Sequence, residues 1–295
     1  MLKKVSFPLR HRFLNFLLNQ DIKGVRFLAD KLPKILLPHP SKVGHCLLTL
    51  PNGLILEIDP SRDLGVEEAL FLRGSYENGV LDFLAKIVND QSVFLDIGAN
   101  IGLMSLWVAK CHANATIHAF EANPSTVEIL NRNIQLNKFN QIHVHSGALG
   151  AEYGTGEIYD NWEINRGGAS MVVKSEQAKS FEIAITPLDA FHLAPTVIKM
   201  DVEGYELEVL KGAAQTIKNY LPIILFEILD YKRTSENSVG AGEEVVAFIR
   251  SLGDYQFFRF KKGSHRKSKL VPILNDEEFP NHDNVVAIPQ KKELH

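Results

Sequence analysis

No run of apolar residues in this chain approaches the ~20 needed to cross a bilayer. The N-terminal stretch "FLNFLL" is too short for a signal peptide, and no small-residue cleavage site follows it. Cysteine is scarce as well: Cys46 and Cys111 stand alone. Two thiols exclude a disulfide framework and a cysteine-based metal centre, and they suit a reducing, cytoplasmic compartment. An excess of one charge is also missing. With 32 Lys/Arg against 35 Asp/Glu the net charge is -3, which argues against nucleic acid as the natural partner. Finally, the glycine-bearing turn at residues 98–102 lacks the third glycine of a dinucleotide fingerprint, and no Gly-Lys-Ser/Thr follows it as in a phosphate-binding loop.

What is present points to a packed α/β protein. The hydrophobic fraction of 45% supports a substantial core. Residues 1–45 are basic, with Lys3, Lys4, Arg10, Arg12, Lys23, Arg26, Lys31, Lys34 and Lys42 against Asp21 and Asp30. Phe13, Phe16, Leu17, Leu28 and Leu32 lie near helical spacing, interrupted at Gly24, Pro33, Pro38 and Pro40. One or two short amphipathic helices are expected there, packed as a cap on the main domain. The competing reading is peripheral contact with a membrane surface or an acidic partner. The segment "HCLLTLPNGLILEID" reads as a hairpin turning at Pro51-Asn52-Gly53. "GVEEALFLRGSYENGVLDFLAKIV" reads as two helices broken near Gly74.

From Ser92 onward strand and helix patterns alternate: "VFLDI", "IGLMSLWVAKC", "ATIHAFE", "PSTVEILNRNIQLN", "QIHVHSGAL", "TVIKMD", "YELEVLKGAAQTIKNY", "PIILFEIL" and "GEEVVAFIRSLG". Continuous apolar strands separated by amphipathic helices imply a doubly wound, mostly parallel sheet covered on both faces. An irregular Gly-rich insert, about 150–181, is expected to hold β-hairpins. "YQFFRF" and "NVVAI" close the chain without a helix pattern between them, as an antiparallel pair would. The loop between them carries Lys261, Lys262, Arg266, Lys267 and Lys269.

Open α/β sheets bind ligands outside the carboxyl ends of their strands. There the first alternating strand ends in "DIGANIG". Gly98 would permit a tight turn, and Gly102 would let the next helix approach the sheet. Asp96 sets negative charge at this mouth, an awkward neighbour for a pyrophosphate. Glu121 ends the next strand, where an acid can accept both ribose hydroxyl protons, and Asp201 and Glu203 end "TVIKMD". Crowded carboxylates oppose each other's ionisation unless something positive is bound. A cofactor carrying a sulfonium and an ammonium answers that field, so S-adenosyl-L-methionine is the expected cofactor.

"FLDIGANIGLMSL", "AFEANPSTVEILNRNIQLN", "SGALG" and "IKMDVEGYELEVLKGA" resemble, in order and spacing, the motifs of FkbM-type S-adenosylmethionine-dependent methyltransferases. The resemblance runs from about Tyr76 to Ile228. It implies a class I methyltransferase (Rossmann-like) α/β fold over 76–295, with a seven-stranded sheet whose last strand pair is antiparallel and a helical and hairpin extension at 1–75. By position, Asp96, Gly98, Ala99, Asn100 and Gly102 would wrap the methionine portion of the cofactor, and Glu121 the ribose. Ala122 and Asn123 would lie beside the adenosine, Ser146, Gly147 and Ala148 would meet the adenine, and Tyr76 with Glu77 would close over the whole. The resemblance also implies a small-molecule or glycan acceptor, methylated mostly on oxygen.

Methyl transfer to a hydroxyl needs alignment and a group to take the proton. Asp201 and Glu203 are the first candidates for that base, with Asp201 also a cofactor contact, and Glu227 and Asp230 are alternatives. Each has a structural reading beside it: Asp96 and Glu203 would serve equally as helix caps, and Glu121 as a solvated strand end. His143 and His145 share one strand face, but no third ligand lies near them, so no metal is expected. His192 would fall near the crevice. Trp162 and Arg166 would shape an acceptor site or simply pack. Three rival functions remain open at this stage: RNA methylation through the basic segments, a non-catalytic cofactor-binding module, and an NAD-dependent oxidoreductase. The sequence carries no signal for an oligomeric state.

Overall fold

The computed structural model describes residues 2–18, 31–33, 35–160, 179–229, 231 and 242–290. Trp162, Arg166 and Asp230 lie outside the described residues. The chain opens with a strand, β1 (Lys3–Ser6), and a helix, α1 (Pro8–Leu18). A single turn of helix, α2 (Pro40–Val43), leads into the hairpin β2 (Cys46–Thr49) and β3 (Ile55–Ile58). At the tip Gly53 takes φ +88° and donates its N–H to Leu50, while the Asn52 side chain accepts the N–H of Leu54. β1 adds parallel to β2. The basic start of the chain thus holds short helices, and also a strand that its pattern does not show. Four residues are too few to show a period, and only Val5 among them is packed on the core.

Two helices follow, α3 (Val66–Arg73) and α4 (Asn78–Ile87). Gly74 separates them in the left-handed region, its N–H donated to the Leu70 carbonyl. Then come β4 (Val93–Ile97), α5 (Leu103–Cys111), β5 (Thr116–Glu121), α6 (Pro124–Asn137) and β6 (Ile142–Ser146). The segment "QIHVHSGAL" splits, and its end, β7 (Ala148–Leu149), joins β8 (Gly154–Asp160) and β9 (Lys179–Thr186) of the insert in a small sheet in the order β7-β9-β8. Alternation resumes with β10 (Val197–Met200), α7 (Glu206–Gly212), α8 (Ala214–Tyr220), β11 (Ile223–Ile228) and α9 (Gly242–Leu252). The segment that reads as one helix over "YELEVLKGAAQTIKNY" is two. It turns at Gly212, where an added Cβ would stand 1.9 Å from the Gly150 carbonyl oxygen. The last strands are β12 (Tyr255–Phe260), β13 (Leu270–Pro272) and β14 (Asp283–Pro289).

The main sheet has eight strands in the order β13-β12-β14-β11-β10-β4-β5-β6. β11, β10, β4, β5 and β6 run parallel, and β14 pairs antiparallel with both β11 and β12. This is the class I methyltransferase arrangement. Its seven expected strands carry one more at the edge, because the basic loop folds back as β13 along β12. Apolar cores lie on both faces: Leu84, Leu106 and Leu130 on one, Leu210, Ile217 and Ile249 on the other. Burial on two sides explains the unbroken apolar strands. The order also carries the carboxyl ends of β5, β4, β10 and β11 to one rim of the sheet.

Candidate active site

The site is organised by the turn that ends β4. The N–H groups of Gly98 and Ala99 both donate to the Phe120 carbonyl, at 3.0 and 2.9 Å, tying the turn to the end of β5. Gly98 adopts φ +76°, and a Cβ built there would lie 1.8 Å from the Asp201 carbonyl oxygen. Only glycine lets the ends of β4 and β10 meet so closely. Asn100 follows at φ +51° and donates its N–H to Glu121 Oε2 at 2.8 Å. Glu121 Oε1 accepts the N–H of Asn123 at 2.9 Å, so both oxygens brace the turns at the rim.

A cavity opens beyond these turns. Of the residues expected at a cofactor site, Tyr76, Gly98, Ala99, Asn100, Glu121, Ala122, Gly147, Ala148 and Asp201 line it, and so does Glu203. Four others do not. Asp96 is fully buried behind the turn, where its Oδ2 accepts the backbone N–H and the hydroxyl of Ser105. It thus caps the start of α5 instead of setting charge at the mouth. Gly102 faces Leu130, whose Cδ1 would be 2.4 Å from an added Cβ. Asn123 turns its side chain to the N–H of Ser125 as the N-cap of α6. Ser146 is exposed at the end of the edge strand β6.

One half of the cavity is apolar, with Phe120, Leu149 and Ile158 among its walls, and the other half is acidic. Glu77, Asp201, Glu203 and Glu227 all line the acidic half, together with Lys199. Lys199 is 4% exposed and bridges Asp201 Oδ2 at 3.1 Å. Burial alone would lower its pKa, but Asp201, Asp96 and Glu77 overturn this and hold the ammonium charged. Burial pushes the Glu77 carboxyl up to about 7, with the charge of Asp201 adding to the shift. Glu203 is raised to about 7 by burial and by Asp201 and Glu206. Glu227 is raised further, by burial first and then by the charges of Asp201, Glu203 and Glu77. Glu121 is raised by burial, although the N–H groups of Asn123 and Asn100 pull the other way.

Backbone and hydrogen bonding single out Glu203. It sits at φ +52°, outside the conformations that side chains favour. The helix-cap reading does not hold for it: Glu206 Oε1 accepts the N–H groups of Val202 and Gly204, both at 3.2 Å, leaving Glu203 directed at the cavity. Glu77 shares the left-handed conformation, at φ +46°. Its Oε1 accepts from Asn284 Nδ2 at 2.8 Å, while Oε2 is buried without a partner.

Lys199 is the functional-site residue that sequence reasoning passed over. A lysine inside "VIKM" reads as an interruption of a buried strand, although its ion-pair partner Asp201 stands only two residues on; Asp96 faces it from the neighbouring strand. His143 and His145 join His118 in a stacked row, with ring centroids 5.1 and 5.2 Å from that of His118. His145 then stacks on Phe120, a wall of the cavity, at 4.4 Å. His192 ends a short turn outside the cavity lining.

Residues 96–256, more than half of the chain, match the model of the methyltransferase FkbM domain. The chain is 30% identical over 160 residues to the hexuronic acid methyltransferase AglP of Haloferax volcanii, covering 50% of this chain and 60% of that one. It is 24% identical over 166 residues to Methyltransferase 1 of Beauveria bassiana, covering 48% and 67%. Among solved structures, the FkbM methyltransferase of Methylobacillus flagellatus aligns with a TM-score of 0.45 at 14% identity, covering 97% of this chain and 82% of that one. By motif order, sheet topology and family match, the chain belongs to the FkbM methyltransferase family, whose methyl donor is S-adenosylmethionine.

Proposed function

We propose that this protein transfers a methyl group from S-adenosylmethionine to a hydroxyl oxygen of a small metabolite or sugar, with Glu203 taking the acceptor's proton. One observation carries the reading: a carboxylate held just beyond β10 in an unfavourable backbone conformation, without a hydrogen-bond partner among the described residues, facing the cavity, and shifted to about 7. A general base works best with a pKa near the operating pH.

The residues present fit the donor. Asn100 Oδ1 and Thr126 Oγ1 are buried at the cavity without partners, as groups awaiting a polar ligand would be. Each Glu121 oxygen keeps a lone pair beyond the one its backbone bond uses, enough to accept the two ribose hydroxyls. Gly98, Ala99 and Asn100 would hold the methionine portion, Glu121 and Ala122 the ribose, and Gly147, Ala148 and Phe120 the base. When bound, S-adenosylmethionine supplies an electrophilic methyl group on a positively charged sulfur. The rest is done by the chain. The acidic half of the cavity lies over β10 and β11, beside the half assigned to the donor, and is therefore the acceptor's half. Lys199 keeps Asp201 in place and offsets part of its charge. Glu203 is thereby left to accept a hydroxyl proton, with Glu77 and Glu227 as further hydrogen-bonding groups for a polyhydroxylated acceptor.

Incubation of the full chain with methyl-labelled donor and a panel of glycosides, uronates and RNA tests this. Label is expected on a hydroxyl oxygen, with turnover rising through about pH 7. Glu203→Gln should lower turnover by about 10²–10⁴-fold while leaving S-adenosylhomocysteine affinity nearly unchanged. Wild-type turnover in that variant removes Glu203 from the role. Label on RNA alone, or donor binding without transfer to any acceptor, overturns the proposal.

A further inference from the structure

The basic N-terminal block has an outward face that the site does not use. Along α1, His11 and Leu14 turn inward and are fully buried. His11 Nε2 lies 2.8 Å from the Phe71 carbonyl of α3. On the opposite side Leu9 is 79% exposed and Phe13 50%, a stripe one helical turn long at i and i+4. Ile35, 77% exposed, lies close by, since Arg10 of α1 bonds the carbonyl of its neighbour Leu36. Arg10 and Arg12 flank the stripe on either side of the helix, and Lys3, Lys4 and Lys42 are exposed on the adjoining elements. Among the described residues up to His45 there is no acidic side chain. The whole chain is net negative, so this pole contrasts in charge with the rest of the molecule.

A helix that buries one apolar edge in its own protein and turns a second one, bordered by arginines, to water has the layout of an in-plane membrane contact. Apolar side chains enter the headgroup boundary while flanking bases meet anionic lipid. We infer that α1, with Ile35 and the surrounding lysines, docks this protein onto an anionic membrane surface. An acidic protein partner would match the charge but would leave Leu9 and Ile35, the two most exposed, without an apolar counterpart. The contact lies near the catalytic cavity. Asn15 of α1 donates to the Arg73 carbonyl at 2.9 Å and accepts from Ser75 Oγ at 2.6 Å and Asn78 Nδ2 at 3.1 Å. That bonded segment brings Tyr76 and Glu77 to the cavity wall. A bilayer held on the far side of α1 is therefore separated from the cavity by this helix and the segment bonded to it.

Co-sedimentation of the full chain with vesicles tests the assignment, using phosphatidylcholine alone and an equal mixture with phosphatidylglycerol. Binding is expected to the anionic vesicles, weakening as salt is raised, and little binding to the neutral ones. The double variant Leu9→Ser/Phe13→Ser should reduce that binding about tenfold or more, and Arg12→Glu should reduce it about fivefold or more. The altered side chains are exposed, so matching thermal melts should confirm that the variants fold. Wild-type protein that stays in the supernatant with anionic vesicles overturns the inference. So does a Leu9→Ser/Phe13→Ser variant that binds as the wild type does. Sedimentation showing a dimer that this variant dissolves would reassign the face to a second copy of the chain.

Discussion

Glu121 shows how one residue can be right in kind and different in setting. Its sequence position, at the end of the strand after the glycine turn, suggests an acid on an open rim that could be removed without cost to the fold. The structure makes it 9% exposed and gives each oxygen a backbone N–H, one from Asn100 and one from Asn123. Removing it strands two donors beside the cavity, and each buried donor left unmet costs about 1–3 kcal/mol. Glu121→Ala should therefore lose both donor affinity and stability. Calorimetry should show S-adenosylhomocysteine binding at least about tenfold weaker, the loss of one charge-assisted hydrogen bond. The denaturation midpoint should fall in the same variant, and an unchanged midpoint would mean that the turn stands without this brace. Asp96 and Lys199 mark the boundary of what residues reveal in isolation. Both were readable as charged groups in apolar strands. The cap role of Asp96 and the Lys199–Asp201 pair are local and could be read from sequence; that Lys199 also faces Asp96 depends on β4 and β10 being neighbours, which no local pattern encodes.

Between elements, the least expected contact joins α6 to the hairpin. β3 is an edge strand, and an exposed edge leaves N–H and C=O groups without partners. Here two asparagines on successive turns of α6 take the place of a neighbouring strand. Asn137 accepts the Ile55 N–H at 2.9 Å and donates to the Ile55 carbonyl at 2.7 Å. Asn133 accepts the Glu57 N–H at 2.6 Å and donates to the Ile101 carbonyl at 2.9 Å, linking the hairpin to the cofactor turn. Arg132 adds an ion pair with Glu57 at 2.9 Å. Asn137→Ala should cost about 1–3 kcal/mol in denaturant unfolding, because it leaves backbone groups of Ile55 unmet. Asn131→Ala, on an exposed part of the same helix, should cost well under that. Equal effects at the two positions would show that α6 does not clamp the edge. The hairpin, the break at Gly74 and the strand–helix alternation were all legible, since periodicity and turn chemistry are local. The clamp was not. "NRNIQLN" reads only as a polar helix face until the hairpin is laid against it. β1 and β13 escaped for a related reason, being short strands that exist because an edge is available to receive them.

Across the whole molecule the acidic half of the cavity opposes folding, and that opposition should be visible as pH dependence. Glu77 and Glu203 have ordinary values near 4.5 and are raised to about 7 in the folded protein, by burial first and then by Asp201. Below about pH 4.5 both states hold these protons, and the two groups are neutral to stability. Between there and about 7 the folded state keeps protons that the unfolded chain has released. Stability contributed by these groups therefore falls as pH rises through that window and levels off above it. Glu227, raised in the same direction, extends the decline to higher pH. Replacing Glu77 with glutamine keeps an oxygen for Asn284 Nδ2 and removes the ionisation. Glu77→Gln should accordingly match the wild type near pH 4.5 and exceed it at pH 8 by up to about 3 kcal/mol, the free-energy equivalent of the shift. Urea denaturation at the two pH values reads this directly. A variant that gains nothing at the higher pH would mean that Lys199 already neutralises the cluster in the ligand-free protein.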